Sequence, residues 1–133
     1  MSAQAFIKAA RNFLGAPWVH QGRTEKGMDC VGLVVLAARA VGMDAPLEAT
    51  YGRMQDYRQA RRYLGQFCER VGSAVPGDIV IFQNSQSLHM AIVSETQSDH
   101  PVRVIQAFGP KSKVVETSLQ FSPMMLWRPN WPS

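Results

Sequence analysis

Apolar residues at positions 5, 6, 9, 10, 13 and 14 (Ala5, Phe6, Ala9, Ala10, Phe13, Leu14) recur at helical spacing until Gly15 and Pro17 break the pattern. This predicts a first helix over 3–14. A loop with three glycines leads to Asp29, and the following "CVGLVVLAARAVG" is apolar almost all round. A segment with no polar face belongs in a core, so a buried central helix is predicted there, closed by Gly42 and Pro46. Met54, Tyr57, Ala60, Tyr63, Leu64 and Phe67 then mark one or two amphipathic helices. Beyond them the chain changes character. "PGDIVIF", "HMAIVSE", "VRVIQAF" and "KVVETSL" are short runs rich in Val, Ile and Phe, separated by turn-forming residues, as antiparallel strands are. Helices first and strands second predict an α+β fold with helices packed on one side of an antiparallel sheet. No repeat or linker interrupts the sequence, so residues 1–133 are expected to form a single domain.

Composition narrows the partners. The chain has 133 residues, 46% of them hydrophobic, and a formal charge of +4, which favours acidic partners without choosing among them. Its one basic cluster, "RQARRY", has the spacing of a solvated helix face, and no nucleic-acid binding is expected. The N-terminus carries Lys8 and Arg11 inside an amphipathic pattern and has no continuous apolar core of a signal peptide. No apolar run is long enough to span a bilayer, so the protein is expected to be made in the cytoplasm without a signal peptide and to have no membrane span. Two cysteines without a CxxC pair, and three histidines, form no ligand spacing; neither a metal nor a cofactor is expected.

Candidate chemistry centres on "EKGMDCVGL". Asp29 suits the N-cap, which puts Cys30 in the first helical turn, where the helix dipole favours an anion. The competing reading is a small buried thiol, with Val34, Val35 and Leu36 close behind. A nucleophilic thiol needs a base, and the base a third group to hold its ring. His100 lies in the polar turn "QSDHP" and His20 in the Gly-Pro loop; His89 opens a strand, on one face with Ala91 and Val93. In the next strand Gln106 sits between Ile105 and Ala107. If these strands pair, its carboxamide can accept from one ring nitrogen of His89 and leave the other facing Cys30; alternatively Gln106 faces solvent. Cys68, at the end of an amphipathic pattern, reads as a buried structural thiol, and the apolar tail "FSPMMLWRPNWPS" as a cover for the sheet or a docking segment.

In order and spacing, "FLGAPWVHQGRTEKGMDCVGLVVLAARAVG", "PGDIVIF", "LHMAIV" and "VIQAFGPKSKVVE" resemble the NlpC-type cysteine peptidases of the papain-like clan. "PWVHQGR", "DCVGL", "YGRMQDYR" and "AFGPKSKVVE" resemble more narrowly the small members encoded among phage tail genes. The resemblance implies a papain-like fold with Cys30 as nucleophile, His89 as base and Gln106 as third member of a catalytic triad. It implies hydrolysis of peptidoglycan stem peptides at D-glutamyl bonds to a diamino acid, by a virion or phage-like tail component that acts in the periplasm or cell wall beside other tail proteins. It also assigns Asp29, with Trp18, His20 and Gln21, to substrate binding, Asp29 toward a free stem-peptide amine. Three positions depart from the family pattern: Gln106 stands where His is common, Val31 where Ser is frequent, and Trp18 where the usual Pro-Tyr pair has its tyrosine. Val31, Gln106 and the apolar C-terminus motivate a rival reading, a catalytically weak or inactive tail assembly or binding subunit on the same fold.

Overall fold

The computed structural model describes residues 2–46, 57–84 and 87–131. The chain opens with α1 (Ala3–Arg11), passes through the short strands β1 (Arg23–Thr24) and β2 (Gly27–Met28), and continues into α2 (Cys30–Ala40) and α3 (Tyr57–Leu64). The strands β3 (Cys68–Val71), β4 (Ile79–Asn84), β5 (Ser87–Gln97), β6 (His100–Phe108), β7 (Lys113–Ser118) and β8 (Met125–Pro129) follow, with a 3-10 turn at Gly109–Lys111. They form one antiparallel sheet in the order β3-β8-β4-β5-β6-β7. The helices pack on this sheet, so the architecture is the α+β arrangement expected from the sequence.

Both faces of the central strands are buried. Ile79, Ile81, Met90, Ile92, Ile105 and Ala107 point to the helices, against Phe6, Leu33 and Val34. Val80, Phe82, Ala91, Val93 and Val104 form a second apolar layer on the opposite face, joined by Leu119 and Leu126. That double burial is why "DIVIF" and "HMAIV" read as near-continuous apolar runs rather than as alternating ones. On α2, Val31, Leu33, Val34, Val35, Ala37 and Ala38 are all buried, as its lack of a polar face demands. α1 buries Phe6, Ile7, Ala9 and Ala10, starts at Ser2, whose side chain accepts from the Ala5 N–H, and is tied to β7 by a two-bond pair of Arg11 with Glu116 (both 3.0 Å).

The structure departs from the expected elements in three places. α1 ends at Arg11 rather than Leu14, because Gly15 turns the chain at φ 88° and donates to the Val114 carbonyl; Leu14 is left exposed. Of the stripe expected in the third helical region, Met54 lies outside the described residues, while Ala60, Tyr63 and Leu64 are buried on α3. Cys68 is buried, as expected of a structural thiol, but on a strand, β3. The apolar tail neither covers the sheet nor stands away from it: Met125–Pro129 enters the sheet between β3 and β4, and Trp131 packs edge-on against Phe6 at 5.1 Å.

Candidate active site

Asp29 caps α2 as its position predicts: its Oδ1 accepts from the Gly32 N–H at 2.8 Å, which fixes Cys30 as the first helical residue. The same carboxylate does more. Oδ1 also accepts from Arg23 Nη1 at 2.8 Å, and Oδ2 from the Gln21 N–H at 2.9 Å, so the acid is the hub joining the loop, the β1–β2 hairpin and the helix. Arg23 is held in turn by the Gly22 carbonyl at 2.9 Å. Two glycines make room for this cluster. A Cβ on Gly32 would fall onto the Gly22 carbonyl oxygen and lie 3.2 Å from Arg23 Nη1, and one on Gly22 would meet the Gly27 carbonyl.

Cys30 is half-buried, packed beside the helix-side core. The backbone N–H groups of Met90 and Val31 and the Arg23 charge favour its thiolate, but burial, with Asp29 adjoining, outweighs them and pushes the thiol up to about 12. Burial thus favours the neutral thiol, opposing the preference for an anion that a helix N-terminus alone suggests. Its contact with the Met90 N–H places the sulfur one residue along β5 from His89.

His89 lies opposite Phe82 in the β4–β5 register, and its ring sits edge-on to Phe82 at 5.3 Å and tilted to Phe108 at 6.2 Å. This apolar cage holds its pKa below the ordinary value, with Asp29 acting weakly in the other direction. Gln106 does not face solvent: only 6% of it is exposed. Its Nε2 donates to Thr117 Oγ1 of β7 at 3.1 Å, leaving Oε1 buried without a partner, as is Nε2 of His89. The structure thus places His89 and Gln106 on adjacent strands without a hydrogen bond between them, each with one unsatisfied atom of the kind the other needs.

The loop residues assigned to substrate binding run along the entrance to α2. Trp18 is half-buried, its N–H on the Ser112 carbonyl at 2.9 Å, and its ring stacks at 6.4 Å on the exposed His20. Gln21 is exposed at φ 58°, a left-handed conformation held by its N–H bond to Asp29. His100 is exposed at the start of β6, away from this group in sequence and register. Two participants escaped the sequence reading. Arg23 has no motif around it, and its only signal is one basic residue six positions before Asp29; Thr117 was marked only by alternation along β7.

Comparisons with known proteins agree with this architecture. The NlpC/P60 domain of the peptidoglycan hydrolase SagA superposes with a TM-score of 0.65 at 21% identity, over 95% of this chain and 97% of that one. The P60 domain of an antigen from M. avium subspecies paratuberculosis gives 0.65 at 19% identity, over 95% of this chain and 93% of that one. An NLP/P60-family protein similar to lipoprotein, from Staphylococcus aureus, gives 0.67 at 18%, with 95% of this chain matched to 40% of that one. No curated protein matches the sequence. The NlpC/P60 family model matches residues 15–120, from the loop before the hairpin through Cys30, His89 and Gln106 to the end of β7, and the chain belongs to the NlpC/P60 family.

Proposed function

We propose that this chain is a cysteine peptidase or amidase that hydrolyses the peptide stems of bacterial peptidoglycan, at bonds from D-glutamate to a diamino acid. Cys30 is the nucleophile, His89 the base and Gln106 the group that orients it. The observation that carries this reading is the Cys30 thiol in the first turn of α2, against the Met90 N–H and one residue from His89, in a chain of this family. With burial favouring the neutral form of both thiol and imidazole, His89 takes the thiol proton as sulfur attacks the amide carbonyl, and the Cys30 N–H at the helix start faces the developing oxyanion. The imidazolium then protonates the departing amine as the C–N bond breaks, leaving a thioester. Water, deprotonated by His89, cleaves it to a free carboxylate and restores the thiol.

The motif order supports a more specific setting: a component of a phage or phage-like tail that reaches the cell wall with the particle and contacts other tail proteins. Incubation with defined muropeptides, followed by mass spectrometry, tests the chemistry. The expected products differ from substrate by one added water, and Cys30→Ala and His89→Ala each lower turnover by about a thousandfold or more while melting temperature stays near wild type. Undiminished turnover by Cys30→Ala would refute the reading. The raised thiol and the two unpartnered atoms of His89 and Gln106 favour a second reading, a binding subunit on a hydrolase fold. It predicts that the wild-type protein retains muropeptides on a column and releases no product.

A further inference from the structure

The family resemblance gives Asp29 to a free amine on the substrate, yet the carboxylate is only 5% exposed and already engaged. Its two oxygens accept from the Arg23 guanidinium and from the N–H groups of Gln21 and Gly32, all within 2.9 Å. The ion pair is itself buried, with 14% of the Arg23 side chain and 7% of the Asp29 side chain exposed. In so desolvated a place a carboxylate and a guanidinium in contact present almost no net charge, and a second cation brought to the same oxygens meets the guanidinium first. An ammonium group would have to give up its water for a site that returns little attraction. An amide nitrogen carries no charge and loses nothing of the kind.

Resting on the peptidase reading above, we infer that Arg23 is a specificity-determining residue: by neutralising Asp29 in a buried ion pair it makes the enzyme act on stem peptides whose amino end is blocked in an amide, as it is while the stem remains attached to the glycan strand. Specificity of this sort works by removing the advantage of the competitor, here the free-amine peptide, rather than by adding a contact to the preferred substrate. The arrangement is built into the fold, because the absent side chain of Gly32 leaves the space that the Arg23 guanidinium and its Gly22 carbonyl partner fill.

The test compares one synthetic stem tetrapeptide with a free amino end and the same peptide N-acetylated, by kcat/KM with the full chain. The wild-type enzyme is expected to cleave the acetylated peptide at least as well as the free one. Arg23→Gln, which leaves Asp29 without its guanidinium, is expected to shift the ratio toward the free amine by about tenfold, while Arg23→Lys, which keeps the charge, stays near the wild-type ratio. A wild-type preference of about tenfold or more for the free amine overturns the inference and leaves the peptidase reading standing, whatever the variants do. An unchanged ratio in a folded Arg23→Gln protein also overturns it. Cleavage of neither peptide by the wild type overturns both.

Discussion

At the scale of single residues, the site is governed by desolvation. Cys30 moves up to about 12 and His89 below its ordinary value, so both shifts favour the uncharged form. A thiol whose folded pKa is raised keeps its proton in the folded state while the unfolded chain loses it, so its stabilising effect is full below the ordinary value of 9.0 and is lost as pH rises toward about 12. Cys68, by burial, and Tyr63, buried with its hydroxyl on the Pro46 carbonyl, shift in the same direction. Urea denaturation from pH 8 upward should therefore show stability falling above pH 9, and Cys30→Ala should fall less steeply than wild type. Parallel slopes would mean that the thiol is not held protonated. Alkylation of Cys30 by iodoacetamide should likewise be slow at neutral pH and accelerate only in the alkaline range. Cys30, His89 and Gln106 stood out in the sequence as candidates because each breaks a local pattern: a thiol after a cap, an imidazole opening an apolar strand, an amide between two apolar neighbours. The sequence left the sign of the Cys30 shift hidden, since a helix terminus is visible in one segment while the burial that opposes it is set by the packed core around the helix start.

At the scale of elements, α2 was readable because a helix without a polar face can sit only in a core, and its cap followed from Asp29. The β1–β2 hairpin was not, because two-residue strands carry no periodicity and are held by backbone approach and by the Arg23–Asp29 pair. Gly32 shows how the two elements depend on each other. In a solvent-exposed helix, Gly→Ala stabilises by up to about 1 kcal/mol. Here the added Cβ meets the Gly22 carbonyl, with the Met28 Cβ at 3.1 Å, and backbone cannot rotate away as a side chain can. Gly32→Ala should therefore destabilise the protein, by about 2 kcal/mol, as overpacked cores do. Thermal denaturation checks the sign, and a melting temperature above wild type would show that the hairpin yields without cost. β4 and β8 are joined by a comparable buried device: Asp78, 1% exposed, receives two bonds from Arg128 at 2.9 and 3.0 Å. Asp78→Ala leaves Arg128 with only the Ser73 carbonyl and the Val75 N–H without its acceptor, and should cost about 2 kcal/mol by the same measurement.

At the scale of the whole molecule, the order β3-β8-β4-β5-β6-β7 puts the segment latest in sequence inside the sheet. The meander β4 to β7 was legible from its four apolar runs, because each strand pairs with its sequence neighbour. β8 was not, because "MMLWRP" carries a proline and its partners are remote: Cys68 faces Pro129, and Ile79 faces Trp127. Pro129 is tolerated at the last position of the strand, where the ladder ends. Among the described strands β3 pairs only with β8, so β8 alone ties β3, and the chain leading out of α3, into the ladder. Removing residues 119–133 would expose the β4 edge, strip Trp127 from the core and Trp131 from Phe6, and leave the Asp78 carboxylate without Arg128. The α1–α2 contact and the pairing among β4 to β7 survive that cut, but the second apolar layer loses Leu119 and Leu126, and the helix-side core shared with Met125 and Trp127 is opened. A chain ending at Ser118 should therefore retain secondary structure by far-ultraviolet circular dichroism but lose its cooperative thermal transition, the behaviour of a compact state without fixed packing. A sharp transition within a few degrees of the full chain would show that β8 is an ornament on the sheet rather than its central tie.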